Sequence, residues 1–147
     1  MKTISIELMD DHLPAEYADW WQQVMALFLK PGMAFEIRHW RDEPAIIQEA
    51  AALGRCSPKD STAYEVSVKG VLDRTVIQTI LAAQAPQEKE RMTKFFTIRV
   101  EGVLSCEHYG AELYFFDPSD EVCRQLSAIL APIRQNFTFG EYRSGQN

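Results

Sequence analysis

The sequence predicts an α+β fold: a two-layer sandwich in which a mixed or antiparallel open sheet carries helices mainly on one face, in the order β-α-β-α-β-α-β-β-α. Two observations favour this class. Three segments alternate between apolar and polar residues, whereas a strand enclosed between two helical layers would be almost continuously apolar. Stretches with helical periodicity and recognisable ends lie between these segments. The segment 137–139 is a candidate for one further short strand.

The alternating segments are 35–40, 64–69 and 96–101, and each predicts a strand with one dry and one wetter face. The pattern of 64–73, Tyr-Glu-Val-Ser-Val-Lys-Gly-Val-Leu-Asp, recurs at 96–105 as Phe-Thr-Ile-Arg-Val-Glu-Gly-Val-Leu-Ser. The recurrence indicates a repeated strand unit, produced either by duplication or by convergence of strand patterns within one sheet. The glycine in each copy predicts a bulge or bend at the end of the alternating run. These two glycines are Gly70 and Gly102.

Four helices are predicted from apolar periodicity and from residues that favour helix ends. A hairpin loop is predicted at 105–110, between strands 96–101 and 113–116, and a polar tail at 143–147. The charged stretch 87–94 is expected to be either a short helix or a mobile loop. The first helix begins near Pro14 and ends at 30–32, the second spans 44–53, the third is capped by Asp73 and broken by Pro86, and the fourth begins at 117–119 and ends or kinks at Pro132.

Length and composition are those of one ordinary globular domain, residues 1–147. Glu7, Asp10 and Asp11 interrupt any apolar signal-peptide region, and no apolar run is long enough to span a bilayer. We therefore expect a cytoplasmic protein without a membrane partner. The net charge of −6 disfavours nucleic-acid binding and is compatible with a basic protein partner. Solubility and helix capping by acidic residues explain the same charge.

Reactive groups are few and scattered. The chain contains no glycine-rich phosphate loop, nucleophile elbow or zinc-protease motif. Three cysteines, Cys56, Cys106 and Cys123, are too few and too irregular for a disulfide framework or a zinc site, so reduced thiols are expected, with Cys123 in the core. Neither a cofactor nor a resident metal is expected, and no catalytic residue is assigned.

Three local groups have a chemical interpretation beside a structural one. Cys106, Glu107 and His108 combine nucleophile, acid and base, but the sequence supplies no third group and no oxyanion hole. Asp10-Asp11-His12 could begin a metal site or cap the next helix. The carboxylates of Glu36 and Glu65 could form a glycosidase pair if they shared a cleft. Cross-strand ion pairing with Arg38, Lys69 and Arg99 explains the same residues without a reaction.

Tryptophan placement bears on the surface of the protein. Trp20 and Trp21 are adjacent, so one helix is not expected to bury both equally, and Trp40 falls on the wetter side of its strand. Two alternatives follow: one tryptophan is exposed beside arginine and acidic residues, as at an interface, or a long arginine or a loop covers it. The start of the first helix, Leu13-Pro-x-x-Tyr17 with a following tryptophan, resembles a short fragment of the barstar-type inhibitors. It lacks that family's Gly-Asn pair and implies nothing further.

The function predicted from these features is binding of a protein, most concretely as an immunity protein that neutralises a bacterial toxin by direct contact. A secretion-type chaperone or adaptor, and a small-molecule-binding domain or enzyme, are the alternatives. The partner is expected to be basic, and the oligomeric state is left open. The candidate binding residues share the wetter strand face or the neighbouring loop: Glu36, Arg38, Trp40, Glu65, Lys69, Arg99, Glu101, Glu107, His108 and Tyr109.

Overall fold

A computed structural model describes residues 1–84 and 91–144 of the chain. The predicted helix break at Pro86 and the first half of the charged stretch 87–94 lie outside these residues, as does the end of the polar tail. One antiparallel sheet of eight strands runs through the described residues, in the order β3-β4-β2-β5-β6-β7-β1-β8. The strands are β1 Lys2–Leu8, β2 Ala34–Trp40, β3 Arg55–Cys56, β4 Glu65–Val71, β5 Thr97–Val100, β6 Leu104–Glu107, β7 Glu112–Phe116 and β8 Phe137–Arg143.

The helices form a second layer on one face of the sheet, which confirms the predicted α+β sandwich. They are α1 Trp20–Ala26, α2 Pro44–Ala51, α3 Arg74–Ala82 and α4 Asp120–Leu130. α1 contacts both α3 and α4, while α2 packs on β2 and β4. Within the described ranges, no helix has the length and apolar character needed to cross a membrane.

The core lies between the two layers and follows the strand register. Ile37 pairs with Val68 on β4 and with Ile98 on β5, and the same row continues across the sheet through Cys106 and Leu113. These five side chains are buried, and all four helices add buried residues to the same cluster. Burying a large aliphatic side chain stabilises the fold by roughly 1.5–3 kcal/mol. The opposite face of the sheet, here called the outer face, carries no α-helix among the residues that the structure describes.

Both tryptophans of α1 are buried, contrary to the sequence-based expectation. Trp20 is 2% exposed and Trp21 is 1% exposed. The ring of Trp20 packs edge-on against Phe137, with centroids 4.7 Å apart, while the indole of Trp21 lies against Gly110. α1 is thus covered on two sides, by the start of β8 and by the β6–β7 connection, and a helix in the middle of a layer can bury adjacent residues.

The first helix is also shorter than expected. Pro14 precedes a 3-10 turn, Ala15–Tyr17, and α1 itself begins only at Trp20 and ends at Ala26. The cap predicted for α3 is confirmed and α4 also begins with a side-chain cap, whereas Glu43 makes no capping hydrogen bond before α2. The Asp73 carboxylate accepts a hydrogen bond from the Val76 amide at 2.8 Å, and Ser119 caps α4 in the same way.

The predicted hairpin loop at 105–110 is wrong in its first half. Ser105 to Glu107 belong to β6, which pairs with β5 on one side and with β7 on the other. The tight turn lies earlier, at Gly102, whose φ is +71°. Only residues 108–111 connect β6 to β7, and His108–Gly110 among them form a 3-10 turn. The short strand β3 was not predicted either.

Gly70 does not mark a bend. It lies inside β4, where a Cβ atom would stand 2.9 Å from the ring of Phe35 and 3.3 Å from the Cα of Gly54. The glycine is required by close packing rather than by a turn. At the other end of the chain, β8 extends to Arg143, and the Ser144 amide donates to the Met1 carbonyl at 2.9 Å.

Candidate functional site

The outer face begins with a set of ion pairs on β2, β4 and β5, here called the ion-pair network. Arg38 lies at its centre: Nη1 is 3.1 Å from Glu36 Oε2, and Nε is 3.3 Å from Glu65 Oε1. Arg99 approaches Glu36 from the other side, at 3.6 Å. The strand register places Arg99 directly opposite Glu36 and Glu65 diagonally across from Arg38, so the strand order brings these charges together.

The turn 57–62 covers part of this network, which the sequence did not indicate. Arg38 Nη1 donates to the Asp60 carbonyl at 2.8 Å, and Lys69 Nζ is 2.9 Å from Asp60 Oδ2. A hydrogen bond from Ser57, followed by one from Lys69, lowers the pKa of Asp60. The side chains of Arg38 and Glu36 are only 13% and 15% exposed. These residues are therefore engaged within the protein rather than presented to a partner.

A second feature of the outer face is a row of carboxylates on β6, β7 and β1, here called the acidic row. Glu107 lies opposite Glu112, and Glu112 lies opposite Glu7. Like charges directly opposite one another on neighbouring strands destabilise a sheet. Glu7 is exposed, and no ion pair joins it to another described residue. The acidic row therefore concentrates negative charge on a rigid surface.

The other two members of the acidic row are held in place by neighbours. Glu107 accepts from Ser105 at 2.7 Å and from Arg99 at 3.2 Å. Burial of Glu107 opposes its ionisation, but these hydrogen bonds and the Arg99 charge outweigh it and lower the pKa. Glu112 contacts His108 Nδ1 and accepts from the Tyr114 hydroxyl at 3.2 Å.

Tyrosines border the acidic row. Burial, and then the negative charge of Glu112, raise the pKa of Tyr114. Tyr142 on β8 is 60% exposed and lines a small depression of about 130 Å³ together with Glu7, Glu112 and Tyr114. Tyrosine beside charged groups is a composition typical of protein-binding surfaces.

Sequence reasoning missed Glu7 and Glu112. The alternation of Ser5 and Glu7 with Ile4 and Ile6 on β1 was the available signal. Placing 105–110 in a single loop concealed the register between β6 and β7, and without that register Glu112 has no partner. Glu101, by contrast, was assigned to the surface and is exposed, at the β5–β6 turn beyond the ion-pair network.

Aromatic rings gather where β2 ends and the β6–β7 connection begins. The ring of Phe96 lies 4.6 Å from that of Trp40, 5.2 Å from that of Tyr109 and 5.8 Å from that of His108. Trp40 is therefore half-buried against Phe96. None of the three tryptophans is exposed, so the alternative with an exposed tryptophan is wrong. The Arg91 guanidinium stands 3.8 Å from the centroid of Tyr109.

A cavity of about 480 Å³ opens beside these rings. Its lining includes Leu8, Asp11, Arg91, His108 and Tyr109. His108 and Tyr109 both adopt left-handed backbone conformations, with φ of 51° and 58°. Two consecutive non-glycine residues in this region are uncommon and cost conformational energy, a feature that is concentrated at binding sites.

The Cys106 hypothesis is contradicted by the structure. Cys106 points into the core and is fully buried, because β6 is a strand and not a loop. Burial raises the pKa of its thiol to about 12, so the nucleophilic thiolate is absent at neutral pH. His108 instead lies on the surface with Glu112. Glu36 and Glu65 both bind Arg38, as expected for ion pairing across the strands.

The other two titratable groups named from sequence have local partners. His12 Nδ1 is 2.8 Å from Asp10 Oδ1 and 3.4 Å from Asp11 Oδ1, in an exposed segment. The three ligand atoms lie within 4.8 Å of one another, but they come from consecutive residues, and nothing else in the described residues converges on them. Cys123, expected in the core, is half-buried, with Lys2 Nζ 3.7 Å from its sulfur.

Comparison with protein-family models, with curated proteins and with solved structures found no match to this chain. The case for a function therefore depends on the geometry of the acidic row, the adjoining tyrosines and the cavity.

Proposed function

We propose that this chain is a small acidic binding protein whose acidic row engages a basic protein, most concretely as an immunity protein that neutralises a bacterial toxin by direct contact. The observation that carries the proposal is the alignment of Glu107, Glu112 and Glu7 on three adjacent strands. Glu107 and Glu112 have local partners, whereas Glu7 has no ion pair among the described residues, so the electrostatic cost in the free protein falls mainly on Glu7. A lysine or arginine from a partner would relieve that cost.

The chemistry of the surface defines the partner. Carboxylates fixed on strands suit guanidinium and ammonium groups that are clustered on a basic surface, such as a nuclease active site. Tyr142 and His108, both exposed at the edges of the acidic row, add rigid aromatic contacts. The ion-pair network beside the row contributes a stiff support, because its charges are already paired.

The test is rescue of cells from toxins encoded next to this gene, together with binding measurements on the purified pair. Glu7→Lys should weaken binding by roughly ten-fold or more, because it reverses a charge in the acidic row, and binding of the unaltered protein should weaken as salt is raised. Glu16→Lys makes the same charge change on the turn before α1 and serves as the control. Failure of every neighbouring product to bind, or binding that is indifferent to Glu7→Lys, would count against the proposal.

The cavity beside Tyr109 supports a second candidate function, the binding of a small molecule. Its volume of about 480 Å³ lies within the usual range for ligand sites, and it combines apolar walls with Asp11 and Arg91. A thermal-shift screen of metabolites is the direct measurement. Met9→Trp places a larger side chain at the mouth of the cavity from an exposed position, and it should abolish the thermal stabilisation by any ligand found. Glu7→Lys, the control outside the cavity, should leave that stabilisation unchanged.

A further inference from the structure

The two edges of the sheet differ in length. β3, at one edge, has two residues, whereas β8, at the other, has seven. Among the described residues β8 pairs only with β1. Exposed edges are usually shortened, interrupted by proline or covered, because their free amides and carbonyls recruit other strands. β8 contains no proline, and although Phe137 at its start is buried, residues 141–143 are exposed, so this end of β8 is an open edge.

The register shows which backbone groups face outward. The Ser144 amide donates to the Met1 carbonyl, and the Asn136 carbonyl accepts from the Met9 amide. Every second residue between Asn136 and Ser144 therefore bonds to β1. In an antiparallel ladder the amide and carbonyl of one residue point to the same neighbour, and successive residues alternate. The backbone groups of Glu141 and Arg143 therefore point away from β1.

The side chains at this edge are complementary in charge to the same side chains of a second copy of the chain. Glu141 and Arg143 flank Tyr142, and they are about half exposed, at 53% and 55% of their side chains. In the single chain Arg143 Nη2 lies 3.0 Å from Glu141 Oε1. If a second β8 runs antiparallel with its Tyr142 opposite this one, two-fold symmetry places each Glu141 opposite Arg143 of the other copy. A register centred on Glu141 would instead oppose two glutamates.

We propose that β8 pairs with β8 of a second copy of this chain, antiparallel and centred on Tyr142, through residues 141–143 of each copy, so that one sheet runs through both copies. The pairing uses backbone groups that nothing else in the described residues occupies, and two Glu141–Arg143 ion pairs select the register. This inference does not depend on the proposed function, since it is argued from the backbone of β8 and the Glu141–Arg143 pair, although Tyr142 borders both surfaces.

The test is a charge-swap cycle followed by light scattering or sedimentation over a range of protein concentrations. The unaltered protein should show a monomer–dimer equilibrium. Glu141→Arg and Arg143→Glu, each of which opposes like charges across the interface, should weaken dimerisation at least ten-fold. The double swap should restore it to within about three-fold, because the pair is re-formed with its signs exchanged.

Glu121→Arg in α4 is the matched control, because Glu121 also pairs with a nearby arginine, Arg124, but away from the edge. Thermal unfolding of every variant checks that the fold is retained. A protein that is monomeric at all concentrations would overturn the proposal. So would a dimer that survives both single swaps, or one that the double swap fails to restore. Toxin binding by a monomeric single-swap variant would show that binding by the acidic row does not require dimerisation through β8.

Discussion

At the scale of single residues, the three cysteines differ in the environment of their sulfur atoms. Cys56 is exposed on β3, Cys123 is half-buried, and Cys106 is enclosed in the core with a thiol pKa raised to about 12. Because only the thiolate reacts with maleimides and disulfide reagents, accessibility and ionisation act together. The buried thiol is therefore doubly protected.

We expect the native protein to react rapidly at one thiol, and Cys56→Ser to remove that fast phase. Unfolding in denaturant should expose all three thiols to the same reagent. Modification rates followed by mass spectrometry provide the measurement, with Cys123→Ser as the control for the half-buried site. Loss of the fast phase in Cys106→Ala instead would contradict the placement of β6.

His39 is a second residue whose burial has a measurable consequence. It is 1% exposed, and its Nδ1 accepts from the Phe96 amide at 3.1 Å, which places the ring proton on Nε2. Nε2 has no aligned hydrogen-bond partner among the described residues, although Glu43 Oε1 is 3.2 Å away. Burial lowers the pKa of His39, and the Glu43 charge opposes the effect without cancelling it.

A histidine with a lowered pKa binds its proton more tightly in the unfolded state, whose pKa is about 6.5. The protein should therefore lose stability as the pH falls below about 6.5 and recover it above that value. His39→Asn keeps an acceptor for the Phe96 amide but cannot titrate, so its urea midpoint should fall less between pH 7.5 and pH 5.5. His12→Asn, an exposed control, should keep the full loss. Equal losses in all three proteins would refute the role of His39.

At the scale of elements, the β6–β7 connection depends on Gly110. Its φ is +90°, and a Cβ atom there would lie 2.7 Å from Trp21 Nε1 and 2.8 Å from the Cβ of Met92. Gly102, in the β5–β6 turn, also has a positive φ, of +71°, but open space where a Cβ would be. Substituting Gly102 tests backbone strain alone, whereas substituting Gly110 tests strain together with steric conflict.

Gly102→Ala should lower the free energy of unfolding by about 1 kcal/mol, through strain alone. Gly110→Ala should lower it by about 3 kcal/mol, because overpacking against Trp21 adds to the strain. Equilibrium denaturation with fluorescence detection measures both, and the tryptophan signal should change only in the second variant. Similar losses at the two sites would mean that the α1 indole can move aside at little cost.

At the scale of the whole molecule, repulsion between Glu7 and Glu112 in the acidic row lowers the stability of the fold, on the face that the described helices leave uncovered. Glu7→Lys replaces a like-charge neighbour of Glu112 with an opposite charge. We expect the free energy of unfolding to rise by roughly 0.2–1 kcal/mol at low salt, and by less in high salt. Calorimetry at two ionic strengths checks this, with Glu16→Lys as the control. A destabilised Glu7→Lys would mean that the row is not under electrostatic strain.

Prediction from sequence succeeded for features that depend on near neighbours. The alternation of 35–40 and 64–69 placed two strands and their buried faces, and Asp73 marked the start of α3, because a side chain caps an amide three residues away. It failed at Ser105–Glu107, where only Cys106 faces the core and a four-residue strand gives too little alternation to recognise.

The sequence alone determined the two-layer class, the dry face of the sheet and the general order of elements, since each of these follows from local periodicity. The alternation also allowed cross-strand ion pairing on the wetter face to be anticipated, but only the tertiary structure decided the exact partners and which charges are left without one. Arg38 meets Asp60 and Glu65 across more than twenty residues of chain, and Glu7 meets Glu112 across more than a hundred. Strand order and register set those encounters, and they arise from packing of the whole core rather than from any one segment.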